Sequence, residues 1–60
     1  NDELLREKIL EEAGEATKAG TRDEIAWEVA DVLYFLTVLM AKNGVGYDAV
    51  VRELARRRWK

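Results

Sequence analysis

Two acidic clusters hold the residues of this 60-residue chain that are best suited to chemistry. In Glu11-Glu12-Ala13-Gly14-Glu15, Glu12 and Glu15 stand three residues apart. In Glu28-Val29-Ala30-Asp31, Glu28 and Asp31 do the same. Residues at i and i+3 project from one side of a helix. Two antiparallel helices joined by a short turn can therefore oppose these pairs and gather four carboxylates around one cleft. An all-oxygen donor set without His or Cys suits Mg²⁺. Crowded carboxylates repel one another and raise their own pKa values unless a cation neutralises them. A plainer reading stands beside this one: Glu15 can pair with Lys18, and Glu11 with Lys8, on a solvated helix face. The second cluster argues harder. Glu24, Glu28 and Asp31 share a meridian that runs on into Phe35 and Val38. A solvated stripe stays polar along its length, whereas this one turns apolar. That puts Glu28 and Asp31 at a partly buried edge, where an unpaired acid is costly. The pattern alone leaves metal binding and a structural role both open.

Three helices must position these groups. There is no Pro, and three of the four Gly fall where the hydrophobic pattern breaks. The first helix is expected from about Asp2 to about Lys18, with Asn1 or Asp2 as cap and Gly20 in the left-handed position after it. Leu5, Ile9, Ala13 and Ala16 form its apolar stripe, with Glu12 at the edge. Glu15 lies about 60° further round, on the side of Lys8 and Glu11. The second helix opens with a capping box, Thr21-Arg22-Asp23-Glu24, and runs to about Lys42, where Asn43-Gly44 stops it. From Val32 to Met40 it is apolar nearly all round, which means burial on most sides. Two short helices cannot provide that cover, so a partner subunit is expected to. The third helix starts near Gly46 as cap, with Val45 and Val50 as a hydrophobic staple. Val50, Val51 and Leu54 make its inner face, and Arg56-Arg57-Arg58 match the negative end of its dipole. The fold class expected is all-α, a three-helix protomer of an oligomeric helical bundle.

Composition narrows the function. The chain carries 10 Lys+Arg and 12 Asp+Glu, net −2, with 48% hydrophobic and 37% charged residues, a balance typical of folded chains. Without Cys or His, disulfides, zinc sites, iron–sulfur clusters and Cys–His or Ser–His nucleophiles are excluded. No apolar run reaches the roughly 18 residues that cross a bilayer. Residues 1–31 hold ten acids and four bases; residues 32–60 hold two acids and six bases. A net acidic chain has no strong claim on nucleic acid. Neither nucleic acid nor membrane is expected as a partner, and the cytoplasm is the expected compartment. A chain this short buries only about 60% of its unfolded surface, so self-association, as a dimer or higher oligomer, is the expected remedy.

The pattern Glu-Glu-x-x-Glu followed by Glu-x-x-Asp resembles the signature of the all-α nucleoside triphosphate pyrophosphohydrolases, the superfamily of MazG proteins and dimeric dUTPases. Within it the chain is most similar to the phosphoribosyl-ATP pyrophosphatase family of histidine biosynthesis. The stretches that carry the resemblance are Lys8 to Glu15, Trp27 to Phe35, Gly44 to Val50, and Glu53-Leu54 with the arginines after them. The resemblance implies a MazG-like fold and a reaction: Mg²⁺-dependent hydrolysis of phosphoribosyl-ATP, a small-molecule nucleotide, to phosphoribosyl-AMP and pyrophosphate. Mn²⁺ is the alternative ion. By position it implies Glu12, Glu15, Glu28 and Asp31 as metal ligands, with Glu11 assisting as a catalytic, water-orienting acceptor. Family members usually carry a further N-terminal helix, so residues 1–60 are expected to form a single domain lacking that helix. Gly46 stands where Ser is more usual.

Other residues admit two readings each. Lys8 can contact substrate phosphate or pair with Glu11 or Glu12. Arg56 to Arg58 can reach substrate across a dimer or only match the helix dipole. Trp27 and Trp59 can stack on adenine, or Trp27 can pack in the bundle; Tyr34 and Phe35 read as core. Two rival functions remain: a house-cleaning pyrophosphohydrolase of non-standard nucleotides, and a non-catalytic, truncated oligomerisation module.

Overall fold

The computed structural model describes residues 2–58. The possible cap Asn1 and the possible stacking ring Trp59 lie outside them. Three helices follow in order, α1 (Asp2–Lys18), α2 (Arg22–Lys42) and α3 (Tyr47–Arg58), and no strand occurs among the described residues.

Local chemistry explains the helix limits. Thr21 caps α2 from an extended backbone, φ −114° and ψ 162°. Its Oγ1 accepts from the Glu24 N–H at 3.1 Å, and the Glu24 carboxylate accepts from the Thr21 N–H at 3.2 Å and the Gly20 N–H at 2.9 Å. This reciprocal box satisfies donors that the first turn leaves without partners. At the other end, the Val45 N–H reaches the Met40 carbonyl at 2.9 Å and the Gly44 N–H reaches that of Ala41 at 3.4 Å. With Gly44 at φ 69°, these bonds make a Schellman closure. Gly44 is the one glycine in the left-handed region. The expectation for Gly20 fails because the α1–α2 turn needs no such residue: α1 ends on an Ala19 N–H to Ala16 carbonyl bond of 3.3 Å. Gly44→Ala is therefore expected to cost about 1–2 kcal/mol, read as a lower thermal midpoint, whereas Gly20→Ala meets no such backbone strain.

α1 and α2 form an antiparallel hairpin. Its open end is tied by Asp2, which takes the Asn43 amide at 3.3 Å and lies 3.9 Å from the Lys42 ammonium. Along the seam Leu5, Ile9, Ala13 and Ala16 face Val32, Phe35, Leu36 and Leu39, all half-buried. This is the apolar stripe that the α1 periodicity marks out.

The third helix departs from expectation. Among the described residues α1 and α2 are the pair that packs along its length, and α3 does not lie against them as a third member. The extents are 33 × 31 × 16 Å. α3 can produce that outline only by projecting sideways from a hairpin about 31 Å long. Val51 and Leu54 are exposed and Val50 is half-buried, so the face they share is no inner face within this protomer. The Schellman closure at Gly44 sets the direction in which the chain leaves α2, and residues 43–46 carry it into α3 away from the hairpin. Tyr34 (64% exposed) and Trp27 (70%) are likewise not core here, since they lie on the side of α2 turned away from α1. No described residue is fully buried.

Candidate metal centre

α1 and α2 cross so that Glu12 on one helix meets Glu28 and Asp31 on the other. One carboxylate oxygen from each lies within 4.8 Å of the others, and all three residues are half-buried. The Glu12 side chain is only 13% exposed. The i, i+3 spacing on α2 puts Glu28 and Asp31 side by side, and the register set by the short 19–21 turn brings Glu12 opposite them.

Lys8 supplies the adjoining positive charge. Its ammonium is 3.2 Å from Glu12 Oε2 and 2.8 Å from Glu11 Oε1, and 5.8 Å from the centre of the Phe35 ring. That ring in turn meets Tyr34 edge to face, 5.2 Å between centroids. Glu11 is exposed and points to Lys8 rather than into the acidic set. The seat of Lys8 on Phe35 is a contact that sequence reasoning missed. Its signal was present in the meridian that carries Glu28 and Asp31 on into Phe35.

Glu15 stands apart from the set of three. It lines a shallow cleft of 170 Å³ with Lys18, Ala19, Glu24 and Glu28, next to the three carboxylates and in reach of Glu28 through its field. The 60° that separates Glu12 from Glu15 around α1 decides the difference. Glu12 is carried to the seam and Glu15 to the cleft beside it. Glu24 also lines that cleft, but its Oε1 is engaged by two backbone donors in the capping box.

Electrostatics follow from this crowding. Partial burial, then the charges of Glu12, Asp31, Glu15 and Glu24, push the Glu28 carboxyl above its ordinary 4.5. The Gly20 and Thr21 N–H groups hold Glu24 below that value, and Arg56 followed by Arg57 does so for Glu53. The signs predict the pH response of the metal-free chain. A raised acid binds its proton more tightly folded than unfolded, so its contribution is full at low pH and is lost as pH rises through the folded pKa of Glu28. The lowered acids contribute above about 4.5 and are lost as pH falls through their folded values. The thermal midpoint in chelator is therefore expected to be higher at about pH 5 than at about pH 7.5, and to fall again in stronger acid. A midpoint that rises steadily toward pH 7.5 contradicts the crowding.

The donor set fits a hard divalent cation. Its oxygens come from carboxylates alone, they converge from two helices, and the single charge of Lys8, paired with Glu11 and Glu12, does not neutralise all three.

Comparison with known proteins adds the ancestry. Residues 1–58 match the family described as phosphoribosyl-ATP pyrophosphohydrolase. The chain is 51% identical over 51 residues to a histidine biosynthesis trifunctional protein of Komagataella pastoris, covering 85% of this chain and 6% of that protein. It is 44% identical over 57 residues to the histidine biosynthesis bifunctional protein HisIE of Thermotoga maritima, covering 90% and 29%. It is 39% identical over 61 residues to a phosphoribosyl-ATP pyrophosphatase of Lactiplantibacillus plantarum, covering 90% and 58%. The chain thus spans less than two thirds of the length of each of these relatives. No solved structure gives a significant match.

Proposed function

Because the chain belongs to the phosphoribosyl-ATP pyrophosphohydrolase family, we propose that it hydrolyses phosphoribosyl-ATP to phosphoribosyl-AMP and pyrophosphate in histidine biosynthesis. The observation that carries this is the convergence of Glu12, Glu28 and Asp31 within 4.8 Å, in a chain of that ancestry. Glu12, Glu28 and Asp31 hold a divalent ion, Mg²⁺ with Mn²⁺ as substitute, and Glu15 completes the set from the adjoining cleft. When bound, the ion supplies neutralisation of the phosphate charge that otherwise repels both the acidic cleft and an incoming nucleophile.

The chain's own residues do the rest. The carboxylates orient a water toward the α-phosphorus, and Glu11 is the outer acceptor for its proton. The new bond joins the water oxygen to the α-phosphorus, the bond from that phosphorus to the bridging oxygen breaks, and pyrophosphate leaves. Lys8, flexible and already at the rim, turns from Glu11 and Glu12 to a phosphate oxygen of the substrate.

Self-association belongs to the same reading. A compact monomer of 6.9 kDa exposes about 4,000 Å², yet this protomer exposes 5096 Å². Its Cα radius of gyration is 13.2 Å against about 10 Å for a compact chain of this length. The excess of about 1,100 Å² is of the size that one subunit contributes to an obligate dimer. No helix among the described residues is long and apolar enough to cross a membrane, and the cytoplasm is the compartment we assign.

Pyrophosphate release tests the activity. Phosphoribosyl-ATP with Mg²⁺ is expected to be the best substrate in a panel that includes non-standard nucleoside triphosphates. Release from the panel alone moves the chain to a house-cleaning role. No release from any substrate removes the catalytic reading.

A further inference from the structure

We propose that Lys18 binds the leaving pyrophosphate, in the shallow cleft at the turn end of the hairpin. The cleft has a volume of 170 Å³ and is lined by Glu15, Lys18, Ala19, Glu24 and Glu28. Lys18 is the one base in that lining and is exposed. Among the described residues its ammonium enters no hydrogen bond or ion pair. The Glu15–Lys18 pair that their spacing allows is therefore not made.

Placement along α1 says what that ammonium faces. Lys8, Glu12, Glu15 and Lys18 follow one another at spacings of four, three and three, down one side of the helix. The carboxylates of the proposed ion set thus lie between two lysines, about 15 Å apart along the axis. A triphosphate laid over the ion along α1 meets one lysine at each end. Lys8 must first leave Glu11 and Glu12, whereas Lys18 has no ion pair to break.

Size and chemistry give the direction of that triphosphate. The cleft falls below the roughly 300 Å³ at which pockets take larger organic ligands, and equals the share of about five or six waters. Charged side chains and Ala19 line it, so it offers no aromatic surface to a base. The Lys8 end differs, since Phe35 lies under that ammonium and meets Tyr34 edge to face. The pyrophosphoryl end therefore goes to Lys18 and the nucleoside toward Phe35 and Tyr34. Of the acids in the cleft, Glu15 and Glu28 belong to the proposed ion set, and Glu24 is engaged by the Gly20 and Thr21 N–H groups. When the bond from the α-phosphorus to the bridging oxygen breaks, its electron pair stays on that oxygen. An ammonium beside the new pyrophosphate stabilises the charge without moving a proton.

This inference rests on the hydrolysis proposed above and assigns its leaving-group end. Lys18→Gln and Lys18→Arg test it by calorimetric titration with magnesium pyrophosphate in excess Mg²⁺. Lys18 is exposed, and retained helical circular dichroism checks the fold. The Gln variant is expected to bind magnesium pyrophosphate about 10-fold or more weakly, and the Arg variant to recover most of that loss. Affinities for Mg²⁺ alone and for phosphoribosyl-AMP are expected to stay unchanged. A lysine that serves only the α1 dipole lowers the thermal midpoint and leaves pyrophosphate affinity intact, which overturns the proposal. Equal weakening of both products, or of phosphoribosyl-AMP alone, overturns it too, as does no binding of magnesium pyrophosphate to the unmodified chain. The two levels separate cleanly. Pyrophosphate binding that needs Lys18, in a chain that hydrolyses nothing, keeps the subsite and removes the hydrolysis. Hydrolysis with binding indifferent to Lys18 does the reverse.

Discussion

Glu28→Gln is expected to abolish divalent-ion binding, to lower pyrophosphate release by roughly 100-fold or more, and at the same time to raise the thermal midpoint of the metal-free chain. The two effects have opposite signs because one carboxylate serves opposed ends. In the proposed metal-bound state Glu28 would be a charged oxygen donor beside Glu12 and Asp31, with which it shares the acidic set. Gln retains the shape but offers a neutral, weaker donor, and a metal clamp worth several kcal/mol in charge stabilisation loosens. In the metal-free protein the same charge is partly desolvated and faces Glu12, Asp31, Glu15 and Glu24. Removing it relieves that repulsion. Asp31→Asn is expected to weaken binding and activity likewise. Asp23→Asn, on the exposed first turn of α2, leaves activity unchanged. Calorimetry and thermal melts in chelator read the two effects separately. A Glu28→Gln chain that melts earlier in chelator contradicts the account and points to a structural role for Glu28.

Saturating Mg²⁺ should produce the other large effect. An ion that binds the folded chain and not the unfolded one stabilises by about 2.7 kcal/mol at 100 times its Kd. In a domain of this size each kcal/mol moves the midpoint by about 4–8 °C, so a rise of roughly 10–20 °C is expected on going from chelator to saturating ion. The effect is large because the fold has so little else to draw on, with no described residue fully buried and α3 outside the hairpin. The shift is expected to vanish in Glu28→Gln. An equal shift with a monovalent salt of matched ionic strength would mean general screening of the acidic face rather than a bound ion.

Much of the local architecture is legible in the chain because it is decided within a few residues. The Thr21–Glu24 box, the Asn43-Gly44 stop and the start of α3 after Gly46 lie where the residue types put them. The stripe of Leu5, Ile9, Ala13 and Ala16 faces its partner helix. The acidic residues were legible as a group, since i and i+3 spacing is a property of one helix. Their separate roles were not. Glu12 enters the seam and Glu15 the neighbouring cleft because of where α1 crosses α2, and a crossing depends on two surfaces at once. Lys8 shows the same limit: its charge and its neighbour Glu11 are local, but its seat over Phe35 exists only once α2 lies alongside.

Residue order, then, was enough for three helices, for their ends and for the family, because hydrogen-bonding ends and hydrophobic period act over short stretches of chain. Which carboxylates converge, and which apolar faces are left open, became known only with α1, α2 and α3 in space. An apolar stripe such as Tyr47, Val50, Val51 and Leu54 demands cover without naming the cover. Hydrophobic attraction has no direction and is met equally by any apolar surface the chain geometry allows to reach it.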